Sequence, residues 1–301
     1  MVAYKTQPKN INHLFVPLLM IAFSLLGRDV YRYGIMYLLS FIIGYCIMYA
    51  IGKSNLFQSY PNIQQAITQD IDNLLILIIL GVMLWWRLGY VIIYDRSYFI
   101  QNPSSILAVR EWGMSFIGWM IGVVSAILWR GRKKNRSKDD FLGIFDSILS
   151  IAPLGILLWR IGNFLNQEIY GIVVPADFWW LSSTIIQRAT HRNIFYVYET
   201  IDTQLRVNTN FLAAFFEWFV LLMICGGVMV YSIHTKKIHP SRISALFIFS
   251  YGFVRFFLEY LRVDSQSEFI GRLTKSQYFF VLFMIIGIYF LLYYRPLKLR
   301  K

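Results

Sequence analysis

An all-α polytopic membrane bundle of about seven transmembrane helices is the fold class this sequence predicts, and three observations predict it. Of 301 residues, 57% are hydrophobic and 18% aromatic against 15% charged, a balance that requires several apolar runs long enough to cross a bilayer. Such runs recur along the whole chain. The formal net charge of +13 is gathered in short links between them, as in the cytoplasmic loops of membrane proteins. That placement excludes nucleic acid as a partner, because no basic stripe is built on a folded polar face. Cys46 and Cys225 lie inside apolar runs with no Cys-x-x-Cys or histidine beside them, so neither a metal, a cofactor nor a disulfide framework is expected.

Taken in order, Lys5 and Lys9 precede the apolar stretch Leu14 to Leu26, which imitates a secretory signal. No small-x-small cleavage site follows, and the run is short for a span. It reads as an uncleaved arm along the membrane surface. Seven spans are then expected. The first runs from Tyr33 to Ile51 and the second, which contains Arg87, from Leu74 to Tyr94. The third, Met114 to Trp129, carries Gly118 and Gly122 one turn apart, a spacing that suits close helix packing. Asp146 lies in the fourth, Phe141 to Trp159, and Glu217 in the fifth, Phe211 to Tyr231. The sixth, Ile243 to Leu261, holds Arg255 and Glu259, and the seventh is Tyr278 to Tyr294.

The link Arg130 to Lys138 carries six positive charges. In this topology it shares a side with Lys236, Lys237 and Arg242 and with the C-terminal Arg295, Lys298, Arg300 and Lys301. That side is cytoplasmic by the positive-inside rule, which puts the N-terminus outside. Residues 1–301 then form one integral membrane domain. Its longest non-spanning segment, 172–210, lies outside, with Phe178, Trp179 and Trp180 as an interfacial anchor.

Seven ionisable residues fall inside or at the ends of apolar runs: Arg87, Asp146, Arg160, Glu168, Glu217, Arg255 and Glu259. Groups so expensive in hydrocarbon are retained for structure or for function. Glu217 and Asp146 read as structural ion-pair members. Arg255, Glu259 and Arg262 share one helix face at i, i+4 and i+7. Arg160 and Arg255 have no evident equal number of acidic partners, and a guanidinium suits bidentate contact with a phosphodiester.

Arg160-x-Gly162-Asn163-Phe164-x-Asn166-x-Glu168-x-x-Gly171 fixes seven positions. It resembles the signature of the prolipoprotein diacylglyceryl transferase family, bacterial enzymes of the cytoplasmic (inner) membrane. The resemblance extends over about two thirds of the chain. It takes in Arg32-Tyr33-Gly34, Arg87 to Tyr90, Gly113 to Phe116, then Tyr251, Gly252, Arg255, Phe256, Glu259, Arg262 and Gln277. It implies phosphatidylglycerol as lipid donor and the lipobox cysteine of a prolipoprotein signal peptide as acceptor. Arg160, Arg255, Asn163, Glu259 and Tyr33 would be catalytic. Arg160, Asn166, Glu168, Gly171, Arg87, Arg262 and Tyr251 would bind substrate.

Two departures stand out. Ile117 occupies the place of a family histidine regarded as important for catalysis. Val207 to Ala213 replace the family's His-Pro-x-Gln-x-Tyr-Glu. Tryptophans also stand at 85, 86, 112, 119 and 159, where the family commonly has smaller residues, which reshapes the pocket. Arg160, Asn163, Glu168 and Arg255 are expected to converge, with Ile117, Trp112, Trp119 and Trp159 beside them. A lipid-binding relative without activity and an unrelated transporter are the alternative readings, although no matching halves of the transporter kind are visible.

Overall fold

Backbone N–H and C=O groups inside hydrocarbon must be satisfied within their own segment, so the apolar runs fold as helices. The computed structural model describes residues 21–25, 28–57, 60–93, 96–107, 115–175, 194–198, 201–263 and 269–294. A short hairpin, β1 (Ile21–Leu25) and β2 (Arg28–Tyr31), occupies the described end of the expected surface arm. It leads into α1 (Arg32–Lys53). There follow α2 (Pro61–Thr68), α3 (Ile71–Ile93), the short α4 (Arg96–Gln101) and α5 (Phe116–Lys133). Next come α6 (Lys138–Leu149) and α7 (Ala152–Leu165), bent by 41° against each other where Pro153 opens the second helix. Strands β3 (Phe195–Val197) and β4 (Leu205–Val207) pair antiparallel, Tyr196 opposite Arg206. The next helix runs as α8 (Thr209–Ala213), a π-helical segment (Ala214–Val220) and α9 (Leu221–Thr235). After α10 (Arg242–Leu258), a hairpin of β5 (Phe269–Ile270) and β6 (Leu273–Thr274) precedes α11 (Lys275–Leu292).

Five helices among the described residues are long and apolar enough to cross a membrane, and six if α6 and α7 form one broken span. The count of seven is not reached on that measure. The remaining candidate, α5, has the length of a span, but Arg130, Arg132 and Lys133 fill its last turn. It is nevertheless tightly paired. A Cβ on Gly118 would overlap the Trp85 carbonyl of α3, and one on Gly81 would lie 2.7 Å from the Gly122 oxygen. Gly118 and Gly122 thus bring the two backbones together as their spacing predicts.

The two ends of the bundle differ in chemistry. At the cation-rich end Asp70 accepts hydrogen bonds from Arg130 and, at 3.2 Å, from Arg136. Burial pushes the Asp70 carboxyl upward, but the bonds and charges of these arginines outweigh it and hold the carboxyl below its ordinary range. Asp140 closes the capping box of α6 and accepts from Asn62, while Asp139 accepts from Tyr294. At the opposite end, residues 171–174 lie as an extended segment against β4 on one side and the end of α10 on the other. Gly171 N donates to the Val207 carbonyl, Val174 N to that of Leu205, and Ile172 N to that of Leu261.

Candidate active site

The signature stretch begins on α7 and ends in this extended segment. Asn166 caps α7, and the chain then turns through Gln167 and Ile169 at φ of 55° and 53°. Left-handed backbone at a β-branched residue costs energy and persists only where neighbours hold it. Here they do. Asn210 Nδ2 donates to the Glu168 carbonyl at 2.7 Å, and the Thr209 hydroxyl donates to that of Ile169. Asn208 caps α8 by accepting from Phe211 N, and it also accepts from the buried Tyr198 hydroxyl. Residues 208 to 210, read from sequence as a departure, are therefore the brace of the signature loop. Burial pushes the Tyr198 phenol up to about 12, so it stays a donor.

Gly171 is wedged between two backbones. A Cβ there would overlap the Val207 carbonyl and lie 2.9 Å from the Leu261 oxygen. Arg206 completes the clamp: Nη1 donates to the Gly171 carbonyl at 3.1 Å, its other nitrogens hold Asp202, and the guanidinium lies 5.0 Å over the Tyr170 ring. Sequence reasoning did not single out Arg206. Its place in a polar link gave no signal.

The charged residues of three elements meet in one row. Arg160 donates from Nε and Nη2 to Glu217 Oε2 at 3.1 and 2.8 Å, and Arg255 Nη1 lies 3.3 Å from the other oxygen, Oε1. Arg255 Nη2 reaches Glu259 Oε2 at 3.4 Å, and Arg262 Nη1 donates to the same oxygen at 3.0 Å. Glu217 is 0% and Glu259 2% exposed. Tyr251 is buried within electrostatic reach of Glu217, Arg255, Arg160 and Arg262. Among the described residues, three guanidiniums, Arg160, Arg255 and Arg262, contact the two buried carboxylates Glu217 and Glu259. Sequence reading placed Glu217 among structural ion pairs, and it does pair, with both Arg160 and Arg255. The reason is local: it sits mid-way in the π-helical segment, whose wider turn directs it inward while Phe215, Phe216 and Phe219 stay exposed.

Asn163 Oδ1 accepts from Trp159 Nε1 at 3.1 Å, and the Asn163 carbonyl accepts from Glu168 N. Asn166 is buried. Arg87 does not join the row among the described residues. Its Nε and Nη2 donate to the Ile106 and Ser105 carbonyls at 3.2 and 2.6 Å, and it stacks 5.1 Å over Phe99, so it braces the turn after α4. Tyr33 lies in the first turn of α1, its side chain outside the described residues, as are Trp112, the 178–180 aromatics and His191.

The family model for prolipoprotein diacylglyceryl transferase matches residues 20–293. This chain belongs to the prolipoprotein diacylglyceryl transferase family. Similar relatives include the phosphatidylglycerol–prolipoprotein diacylglyceryl transferase of Polynucleobacter asymbioticus, 30% identical over 87% of this chain and 90% of its own length. The enzymes of that name from Aliivibrio fischeri and Proteus mirabilis are 33% and 29% identical, over 85% and 94% of this chain and 81% and 95% of theirs. Within the transferase family fold, the replacement tryptophans take up defined contacts. Trp159 bonds to the signature asparagine and meets Tyr37 at 6.5 Å between ring centres, and Trp119 packs against the core. Ile117 is half-buried in the first turn of α5.

Proposed function

We propose that this chain transfers the diacylglyceryl group of phosphatidylglycerol to the lipobox cysteine thiol of prolipoproteins. It acts as one multi-pass unit of the bacterial cytoplasmic membrane, with the arginine row and residues 172–210 toward the outer face. The observation that carries the reading is the row itself, in which Arg160 and Arg255 share Glu217 and Arg262 joins them through Glu259. A phosphodiester carries one negative charge, and guanidiniums gathered in this way suit bidentate contact with its oxygens.

The reaction forms a bond from the cysteine sulfur to the diacylglyceryl carbon as the carbon–oxygen bond to phosphate breaks. The thiol loses its proton, and glycerol phosphate departs with the electron pair. Arg160 and Arg255 hold the phosphate oxygens and stabilise the charge that grows on them. Asn163 and Tyr33 orient the headgroup, and Asn166, Glu168, Tyr251 and Arg262 border it. Glu259 Oε2 is engaged by Arg255 and Arg262, whereas Oε1 makes no hydrogen bond among the described residues. That oxygen suits uptake of the thiol proton. Ile117 supplies no base, but a thiol of pKa about 8.5 is already a few per cent thiolate at neutral pH, and adjacent guanidiniums raise that fraction.

Purified protein incubated with phosphatidylglycerol and a lipobox peptide, followed by mass spectrometry, tests the proposal. A peptide heavier by one diacylglyceryl group is expected. Tight phosphatidylglycerol binding with no adduct, and an adduct only after Ile117→His, would instead identify a lipid-binding relative that has lost its base.

A further inference from the structure

Trp159 and Asn163 stand one turn apart on α7, and the indole Nε1 lies 3.1 Å from Asn163 Oδ1. An indole N–H can only donate, so chemistry alone decides which end of the amide faces it: the oxygen. Asn163 is 1% exposed. At that depth a flipped amide would set its NH2 against the indole N–H, two donors face to face, and the flipped form is strongly disfavoured. The indole is itself held from another helix, because Tyr37 of α1 meets it at 6.5 Å between ring centres, tilted by 51°. The backbone of Asn163 is tied to the signature turn, its carbonyl accepting from Glu168 N at 2.9 Å.

A phosphodiester anion offers only acceptors. An asparagine beside it serves through its NH2 end alone, since the amide oxygen turned to the same place would set lone pair against lone pair. Asn163 follows Arg160 by three residues on the same helix, beside the row that Arg160 enters through Glu217. We propose that Trp159 is a positioning residue for the transfer: it fixes the polarity of the Asn163 amide, oxygen to the indole, so that the NH2 end is the one presented to the headgroup phosphate. Trp159 acts through Asn163 and not on the lipid. The role rests on the transferase reading for its ligand and adds what sets the direction of the site's neutral contact. A donor oriented in advance matters most where charge grows, because it needs no reorganisation as the bond to phosphate breaks. The indole therefore weighs more on the rate of transfer than on affinity for the lipid.

The test is a double-mutant cycle in the full-length protein: wild type, Trp159→Phe, Asn163→Ala and the two together. Each is read for transfer to a lipobox peptide in phosphatidylglycerol vesicles, and for phosphatidylglycerol affinity in detergent by native mass spectrometry. Trp159→Phe keeps a ring against Tyr37 and removes the donor. It should lower the transfer rate by about tenfold and the affinity by about threefold, and Asn163→Ala should lower the rate by about 10²-fold. In the Asn163→Ala background Trp159→Phe should change neither reading further, because a residue that acts through the amide has nothing left to act on. Benzothienylalanine incorporated at position 159 puts sulfur in place of the N–H at nearly the same volume. It should reproduce the Trp159→Phe losses, and it decides alone should that variant fold poorly. Equal losses in both backgrounds, or full activity with the sulfur isostere, would overturn the proposal and leave Trp159 a packing residue. Should the wild type form no adduct, the transferase reading falls by itself. The affinity cycle then still decides: a loss confined to the Asn163 background upholds the positioning role, and no loss overturns it.

Discussion

Glu217 decides more of the proposed site than any residue of the signature, because Arg160 and Arg255, the guanidiniums proposed to hold the phosphate, take their position from its two oxygens. Removing one partner of a buried ion pair costs about 3–5 kcal/mol, chiefly because a charge is left buried without compensation. Glu217→Gln is therefore expected to lower the thermal unfolding temperature markedly. Added phosphatidylglycerol should restore more of it than in the wild type, since the anion replaces the missing charge. Melting curves in detergent with and without the lipid measure both effects. Equal lipid shifts in variant and wild type would show that the headgroup binds elsewhere. Arg206 offers a second reading at this scale. Arg206→Lys keeps the charge but cannot hold Asp202 and the Gly171 carbonyl together. Its expected effect is a fall in transfer rate, with little change in phosphatidylglycerol affinity.

At the scale of elements, the π-helical segment sets the aim of Glu217. Deleting Phe215, an exposed residue in that segment, lets the turn relax to an α-helix and rotates Glu217 relative to the α8 brace. Transfer should be lost while the protein still inserts and purifies, which an activity assay beside a size-exclusion profile would reveal. The α3–α5 pair depends on backbone contact. Gly118→Ala forces a Cβ into the Trp85 carbonyl and should cost about 1–3 kcal/mol of stability. At the cation-rich end the junction of α2, α3 and α5 depends on pH. The Asp70 carboxyl is held below its ordinary range, so its pairing with Arg130 and Arg136 contributes fully above about pH 4, the value of an unfolded Asp. That contribution is lost as pH falls through the depressed folded value. Acid titration of unfolding should show the loss in wild type and its absence in Asp70→Asn.

For the whole molecule, the sequence was legible wherever composition and local spacing carry the information. The apolar runs fold as helices, Gly118 and Gly122 sit at a backbone contact, and the signature runs from the end of α7 into a half-buried turn, with Arg160 brought to the charged face of α10 through Glu217. Contacts between distant segments were not legible. Nothing local to Glu217 says that it lies between Arg160 and Arg255, because its register depends on a π turn that apolar periodicity does not encode. Nor does anything local to Arg87 announce its contacts with the carbonyls of Ser105 and Ile106, which lie in a separate turn. The span count differed for a related reason: the cations that identify the inner side also fill the last turn of α5. The central claim is that Arg160, held with Arg255 by Glu217, grips the phosphate of the donor lipid. The direct measurement is the rate of diacylglyceryl adduct formation by Arg160→Lys and wild type, in vesicles containing phosphatidylglycerol and a lipobox peptide. Lysine keeps the charge but loses the planar fork, so the rate should fall by about 10²-fold or more. An Arg160→Lys rate equal to wild type would contradict the account.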